Sequence, residues 1–310
     1  MTIRWNEDVV NSGIGALKRR RVELLQRPQT LFLLLIVCFA SHESQAQTPD
    51  LAFRYFQAGQ KQMQEGDWLS AAEDFTKAIA TNAQLSRVKL PKEKGDAFGA
   101  LPSDRSEISV SDPFTAYAYA SRGLARLNLG DFDQAIEDYE RALRIRPKLA
   151  EAYVGRGIAF DAKGEYDRAV FDYNRAISID PKSAEAYFRR GCALVKKQDF
   201  AAAVRDLERA LDLRPNFAWA QYWRGTSLMK QGRYESAVIA FTAALQLDPG
   251  IAEAYGNRGL AFLVLGRENE ALKDLKESVD LKPELKSDLE RRTELAKQLV
   301  RGNVARLLSQ

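Results

Sequence analysis

AEAYVGRGIAFDAKGEYDRAVFDYNRAISIDPKS, residues 150–183, decides how the rest of the chain is read. A close copy begins before it at Ala116, and further copies begin at Ala184, Ala218 and Ala252, all evenly spaced. Self-similarity at a fixed period of this size marks units that stack, because each is too thin to bury its own apolar face. Within the quoted copy, Tyr153, Arg156, Gly157 and Phe160 recur at i, i+3, i+4 and i+7, one face of a helix. Gly164 breaks that helix. Tyr166, Ala169, Val170, Tyr173, Ala176 and Ile177 resume the spacing, and Pro181 stops the second helix. Each copy is therefore a helical hairpin.

These positions resemble the tetratricopeptide repeat, whose pattern runs W-x2-L-G-x2-Y, then A-x3-F, then P. The quoted copy supplies Tyr153, Gly157, Phe160, Ala169, Tyr173 and Pro181. The copy at Ala116 supplies Tyr119, Gly123, Ala135, Tyr139, Ala142 and Pro147, and the copy at Ala184 supplies Tyr187, Gly191, Leu194, Ala203, Leu207, Ala210 and Pro215. The next two give Gly225, Leu228, Ala237, Phe241, Ala244 and Pro249, then Tyr255, Gly259, Phe262, Ala271, Leu275 and Pro283. Five tandem matches (116–149, 150–183, 184–217, 218–251 and 252–285) make the resemblance specific. The fold it implies is all-α, a right-handed α-solenoid of stacked helical hairpins. Gly157 and Ala169 are expected to let the two helices of a hairpin approach, and Ala176 to admit the next unit; a large side chain at Gly157 overpacks the seam.

An earlier, degenerate copy occupies residues 47–85. Tyr55, Gly59, Gly66, Trp68, Ala71, Phe75 and Ala78 keep its register from Ala52, but Ala83 stands at the proline position. Residues 86–115 interrupt the array with three prolines and scattered Ser, Asp and Gly, the composition of a loop. The segment is read as a mobile linker, with a partner-binding loop as the alternative, and Asp112 and Pro113 as cap and first residue of the next helix. After Glu284 the period fades, and residues 286–310 read as a helix that caps the stack and a tail; a basic amphipathic helix for anionic membrane is the rival reading.

The N-terminus carries a different signal. Residues 31–40, LFLLLIVCFA, form an unbroken apolar run behind Lys18, Arg19, Arg20, Arg21 and Arg27. Such a run falls well short of the about 20 residues that span a bilayer. A basic lead, a short apolar core and the small residues Ser44 and Ala46 match a secretory signal peptide over residues 1–46, cleaved after Ala46. An uncleaved anchor in the inner membrane is a second reading, and lipidation at Cys38 a third, opposed by the bulk of Val37. The expected location is periplasmic or secreted, with membrane contact only through such an anchor.

The inventory of reactive groups is thin. His42 is the single histidine, and Cys38 and Cys192 are the two cysteines, so a chain cut after Ala46 has no histidine, no Cys/His zinc site and one thiol. Cys192 sits among apolar neighbours and reads as a small buried hydrophobe. Gly13 and Gly15 form a Gly-x-Gly without the rest of a phosphate-binding motif. Carboxylates are plentiful, but Asp138, Asp172, Asp206 and Asp274 recur with the period, which is structural placement. No catalytic residue, cofactor site or metal site is assigned. The net charge of +4 is close to balance, and nucleic-acid binding is not expected.

One departure from the family pattern repeats. Arg122, Arg156, Arg190, Arg224 and Arg258 replace the usual leucine before the glycine. Four of them are followed at one fixed interval by an aspartate (Asp138, Asp172, Asp206 and Asp274), whereas Arg224 has Ala240 there. Pairing across each hairpin is the expectation, since half-buried guanidinium groups need acceptors. The functional alternative is an arginine ladder for an anionic ligand.

The resemblance further implies a non-enzymatic protein-interaction scaffold whose first helices line a concave groove at the second, fifth, ninth and twelfth positions of each repeat. Carried over, these give Phe53, Phe56, Tyr117, Leu124, Val154, Ile158, Phe188, Val195, Trp219, Tyr222, Met229 and Leu260. The family's chaperone-tail binders use asparagine where this chain has Leu124, Ile158, Cys192, Thr226 and Leu260, so that subtype is rejected. An apolar, aromatic-lined groove suits an amphipathic or hydrophobic segment of a partner protein, with Trp219, Tyr222 and Phe188 as hot spots. Packing against the neighbouring first helix is the plain reading for part of the set. A carrier of a small apolar ligand or lipid, and an accessory subunit of an envelope enzyme, are the alternatives.

Overall fold

Proline sets where the second helix of a hairpin stops, because the residue before it is driven out of the helical region. The computed structural model, which describes residues 51–88 and 113–308, follows this rule at each repeat. Helices α4 (Phe132–Ile145), α6 (Tyr166–Ile179), α8 (Phe200–Leu213), α10 (Tyr234–Leu247) and α12 (Glu268–Leu281) end just before Pro147, Pro181, Pro215, Pro249 and Pro283. Where Ala83 replaces the proline, α2 runs on from Trp68 to Val88. The first helices are α1 (Leu51–Glu65), α3 (Pro113–Leu129), α5 (Ala150–Lys163), α7 (Ala184–Lys196), α9 (Ala218–Lys230) and α11 (Ala252–Val264). A 3₁₀ turn, Pro283–Leu285, leads into α13 (Lys286–Leu308). The thirteen α-helices and the absence of strands among the described residues make the fold all-α, built of stacked helical hairpins. The expected signal segment with Cys38 and His42, the glycines Gly13 and Gly15, and most of the expected linker lie outside the described residues.

The chain divides into two compact units after Asp180. In the first, each helix of α1–α6 packs on the next, and the first helices also meet one another, α1 on α3 and α3 on α5. The break in the sequence between α2 and α3 is no break in this stack. Asn82 Nδ2 donates to Thr115 Oγ1 at 2.8 Å, Arg122 Nη1 donates to Thr76 Oγ1 at 3.0 Å, and the Phe56 and Phe114 rings lie 5.4 Å apart. The degenerate copy thus closes the N-terminal side of the array of hairpins.

The second unit repeats the scheme over α7–α12, with α13 laid against α11. Leu289 and Ala296 of α13 are buried with Leu260, Phe262 and Leu263 of α11. Burying a large aliphatic side chain contributes about 1.5–3 kcal/mol, so this contact helps to hold α13 against α11. In both units the seam depends on small residues facing large ones. A β-carbon on Gly157 would lie 2.7 Å from Tyr173 Cε1, and Ala169 and Ala176 are fully buried. Gly155 is tighter still: its β-carbon would lie 2.3 Å from Tyr139 Cζ on α4, the second helix of the preceding hairpin.

Candidate functional site

The twelve expected groove residues divide into two kinds. Phe56, Tyr117, Leu124, Val154, Phe188 and Leu260 are buried, and their side chains serve the stack. Phe56 packs on Phe75 at 5.4 Å, and Phe188 packs on Phe217 at 4.5 Å. Phe53, Ile158, Val195, Trp219, Tyr222 and Met229 keep part of their surface in solvent. The first unit contributes only Phe53 and Ile158 to this second group, on α1 and α5.

The second unit concentrates the rest on α7 and α9. Trp219, Tyr222 and Met229 recur at helical spacing on α9, and all three rest on a buried cluster that includes Leu228, Phe241 and Ile251. Trp219 and Trp223 each meet Tyr222 edge-on, with centroids 5.5 Å apart. Rings held this way present a rigid apolar surface at small entropic cost. Cys192, on α7, is half-buried beside Phe188 and Val195.

This face ends in a polar group that the groove positions do not include. Asn257 Nδ2 donates to the Tyr222 hydroxyl at 3.4 Å, and Arg292 Nη2 donates to Asn257 Oδ1 at 2.6 Å. Burial, with Glu253 adding to it, pushes the Tyr222 phenol up to about 12. Burial also lowers the Lys230 ammonium, and the charge of Arg292 lowers it further. Arg292 comes from α13, beyond the last full repeat. The signal was present in the sequence: Arg292 follows Arg258 at the same interval as Arg258 follows Arg224, so α13 keeps the period in register.

The repeated arginines are paired as expected. Nε and Nη2 of Arg122, Arg156, Arg190 and Arg258 donate to the two carboxylate oxygens of Asp138, Asp172, Asp206 and Asp274, at 2.6 to 2.9 Å. Two-pronged bonds of this kind are structural clasps, and they take four of the five arginines out of any anion-binding ladder. Arg224 differs. Its Nε is buried with no hydrogen-bond partner, opposite Ala240.

Among the described residues, no group of three His, Cys, Asp or Glu is placed to hold a metal ion, and no helix is long and apolar enough to cross a membrane. What the site offers is surface: aromatic and aliphatic side chains fixed on rigid helices. Stacked hairpins with such a face define a repeat scaffold.

The comparisons give that class its family. The tetratricopeptide repeat model matches residues 121–184, 188–251 and 224–285, together more than half of the chain, and the chain belongs to the tetratricopeptide repeat family. Proteins of this family bind other proteins or peptides. MamA from Desulfovibrio magneticus RS-1 has a similar fold, with 22% identity and a TM-score of 0.51 over 57% of this chain and 98% of that one. A second MamA crystal structure is 29% identical with a TM-score of 0.49, covering 52% of this chain and 95% of its own. YrrB, whose structure is described as a TPR protein with an unusual peptide-binding site, is 25% identical with a TM-score of 0.49, covering 57% and 91%. No curated protein matches the chain significantly.

Proposed function

We propose that this chain is a non-enzymatic scaffold of the cell envelope that holds an apolar or amphipathic segment of a partner protein against its first helices. One observation carries the reading: Trp219, Tyr222 and Met229 remain partly exposed on one face of α9, backed by a buried cluster that fixes them. Large apolar side chains on a rigid helix, left in contact with water, are the usual anchors of protein recognition. Export rests on the apolar run at 31–40 behind its basic lead.

The alternative of a small apolar ligand gains nothing from the depression of about 380 Å³ on the first unit. Its lining combines Arg156, Asp167, Arg168 and Asp172 with Phe160 and Phe171, which is too charged for a lipid chain. The proposal is tested with a photoreactive residue placed at Trp219 in the full chain and crosslinked in the envelope fraction. A single protein species should be captured, and Trp219→Ala with Met229→Ala should abolish its binding while helical content by circular dichroism stays the same. Undiminished binding by that double variant would remove the assignment.

A further inference from the structure

The last helix breaks the stacking rule of the second unit. Helices α9 and α11 each pack on the second helix of the hairpin before them, but α13 packs chiefly on a first helix, α11. It covers places that stay open elsewhere in this unit. Leu260 and Leu263 stand at the ninth and twelfth positions of their repeat, and both are buried in one cluster with Leu289 and Ala296. The same positions hold Cys192 and Val195 on α7, and Thr226 and Met229 on α9, and all four keep part of their surface in solvent. Helix α13 therefore lies over the first-helix face of the last repeat.

The seat beneath it has a defined shape and chemistry. Gly256 holds the fifth position of the repeat, where Phe188 and Tyr222 place rings on α7 and α9. A β-carbon on Gly256 would lie 2.9 Å from Leu289 Cδ2, so Leu289 fills a notch that the glycine leaves. Next to the notch, buried Asn257 accepts from Arg292 Nη2 at 2.6 Å, and its own amide reaches the Tyr222 hydroxyl, which joins the seat to the face on α9. Leu289, Arg292 and Ala296 are spaced i, i+3 and i+7, the anchor pattern of an amphipathic helix laid in a groove. The grip is light. Between Lys286 and Val300 only Leu289 and Ala296 are buried, against nine residues of the shorter α11, and Glu290, Arg291, Glu294, Lys297 and Gln298 are exposed. An element with so few buried contacts is among the first to open.

We infer that the face of α11 is a helix-binding surface kept by α13, and that a partner helix with leucine, arginine and alanine at i, i+3 and i+7 displaces it. The inference rests on the first helices being the partner's site, and it makes α13 the regulator of that site. With α13 in place the partner's segment reaches only α7 and α9; with α13 released it runs on over Gly256, Leu260 and Leu263. A helix tethered through the short turn Pro283–Leu285 competes at a roughly millimolar effective concentration. An outside helix therefore binds the parent chain more weakly, by the fraction of chains whose α13 has left its seat.

The test uses the full chain and a peptide copy of residues 286–300, KSDLERRTELAKQLV-amide, with fluorescein at its N-terminus. In the chain, Leu289→Asp removes the anchor of its own α13, and Ala296→Asp does the same further along the helix. By fluorescence anisotropy, either variant should bind the peptide at least about tenfold more tightly than the parent does. Peptides carrying Leu289→Asp or Arg292→Gln should bind the released chain at least about tenfold more weakly than the unaltered peptide. Adding Trp219→Ala to the released chain should leave peptide binding unchanged, so the result stands apart from the crosslinking test of the α9 face. Equal binding by the parent and the released variants, no binding by either variant, binding indifferent to the peptide's substitutions, or binding lost with Trp219→Ala would overturn the inference. Loss of cooperative urea unfolding in both variants would overturn it as well, because α13 would then belong to the core; if only one variant unfolds, the other decides.

Discussion

Arg156 holds Asp172 by two parallel hydrogen bonds, Nε to Oδ2 and Nη2 to Oδ1, each 2.8 Å long. The aspartate side chain is 1% exposed and the arginine 18%, so both charges are largely withdrawn from water. The bond to Asp172 raises the guanidinium above its ordinary value, with burial opposing it. Removing one partner strands the other, which costs more than the pair itself contributes. Asp172→Ala should therefore lower stability by about 2 kcal/mol, after allowing for the part of the arginine that solvent screens. The measurement is the urea midpoint at unchanged slope. Adding Arg156→Leu should recover most of the loss, because no cation is then left behind. If the double variant is no better than the single one, the clasp is not what the aspartate supplies.

The contact between Gly155 and Tyr139 gives a steric prediction. A methyl group at Gly155 would sit 2.3 Å from Tyr139 Cζ, and that ring is 2% exposed, with Gly123 also against it. A ring enclosed on both sides cannot yield, so Gly155→Ala should cost about 2 kcal/mol through overpacking between neighbouring hairpins. Tyr139→Leu in the same background should return part of this. Gly155→Ala melting with the parent chain would show that the seam relaxes freely.

The hairpins, their seams and the arginine clasps were legible because each rests on a local rule repeated at a fixed interval. Glycine against Tyr173, and an aspartate at a set distance after the arginine, can be read from one copy and checked in the others. The division of the groove residues was not legible. Phe188 and Trp219 hold neighbouring places in the pattern, yet Phe188 is buried against Phe217 while Trp219 is partly in water. What separates them is the Phe217 ring brought up from the segment before α9; the period repeats an apolar residue at that place, as Leu149 and Ile251, but does not report which side chain it covers. Gly155 was missed for a related reason. Its partner, Tyr139, belongs to the preceding hairpin, and the pattern within one copy does not report contacts between copies.

Gln198 offers a way to stabilise the chain. Five of the turns between first and second helices place glycine in the left-handed region, at φ of 74° to 87°, as at Gly164 and Gly232. The hairpin 184–217 has Gln198 there, at φ 63°, the one non-glycine residue with positive φ among those described. Its backbone still closes the helix, with the amide donating to Val195 O at 2.9 Å and the next amide to Leu194 O at 2.9 Å. The geometry is kept while the β-carbon is crowded, a strain of about 1 kcal/mol. Gln198→Gly should raise the melting temperature, and Gln198→Val should lower it. A glycine variant less stable than the parent would mean that the glutamine side chain contributes more than the strain it causes.

Tyr222 makes the stability of the second unit depend on pH in the alkaline range. Burial, reinforced by Glu253, lifts its phenol from the ordinary 10 to about 12, so the folded chain favours the protonated form more than the unfolded chain does. A folded-state value above the unfolded one means stability that is fully present below pH 10. It is lost as pH rises from there through about 12. The amount is about 2 kcal/mol, from about 1.4 kcal/mol for each unit of difference, reduced for the exposed part of the ring. Tyr222→Phe has nothing to ionise at this position. At neutral pH it should be less stable than the parent by about 0.5 kcal/mol, having lost the long bond from Asn257. Between about pH 10 and 12 the parent should lose stability faster, and the two urea-unfolding curves should cross. The other tyrosines ionise equally in both chains, so the difference isolates this one group. Parallel pH profiles for parent and variant would show that the phenol titrates as it does in the unfolded chain, and that the face around Trp219 is wetter than its packing implies.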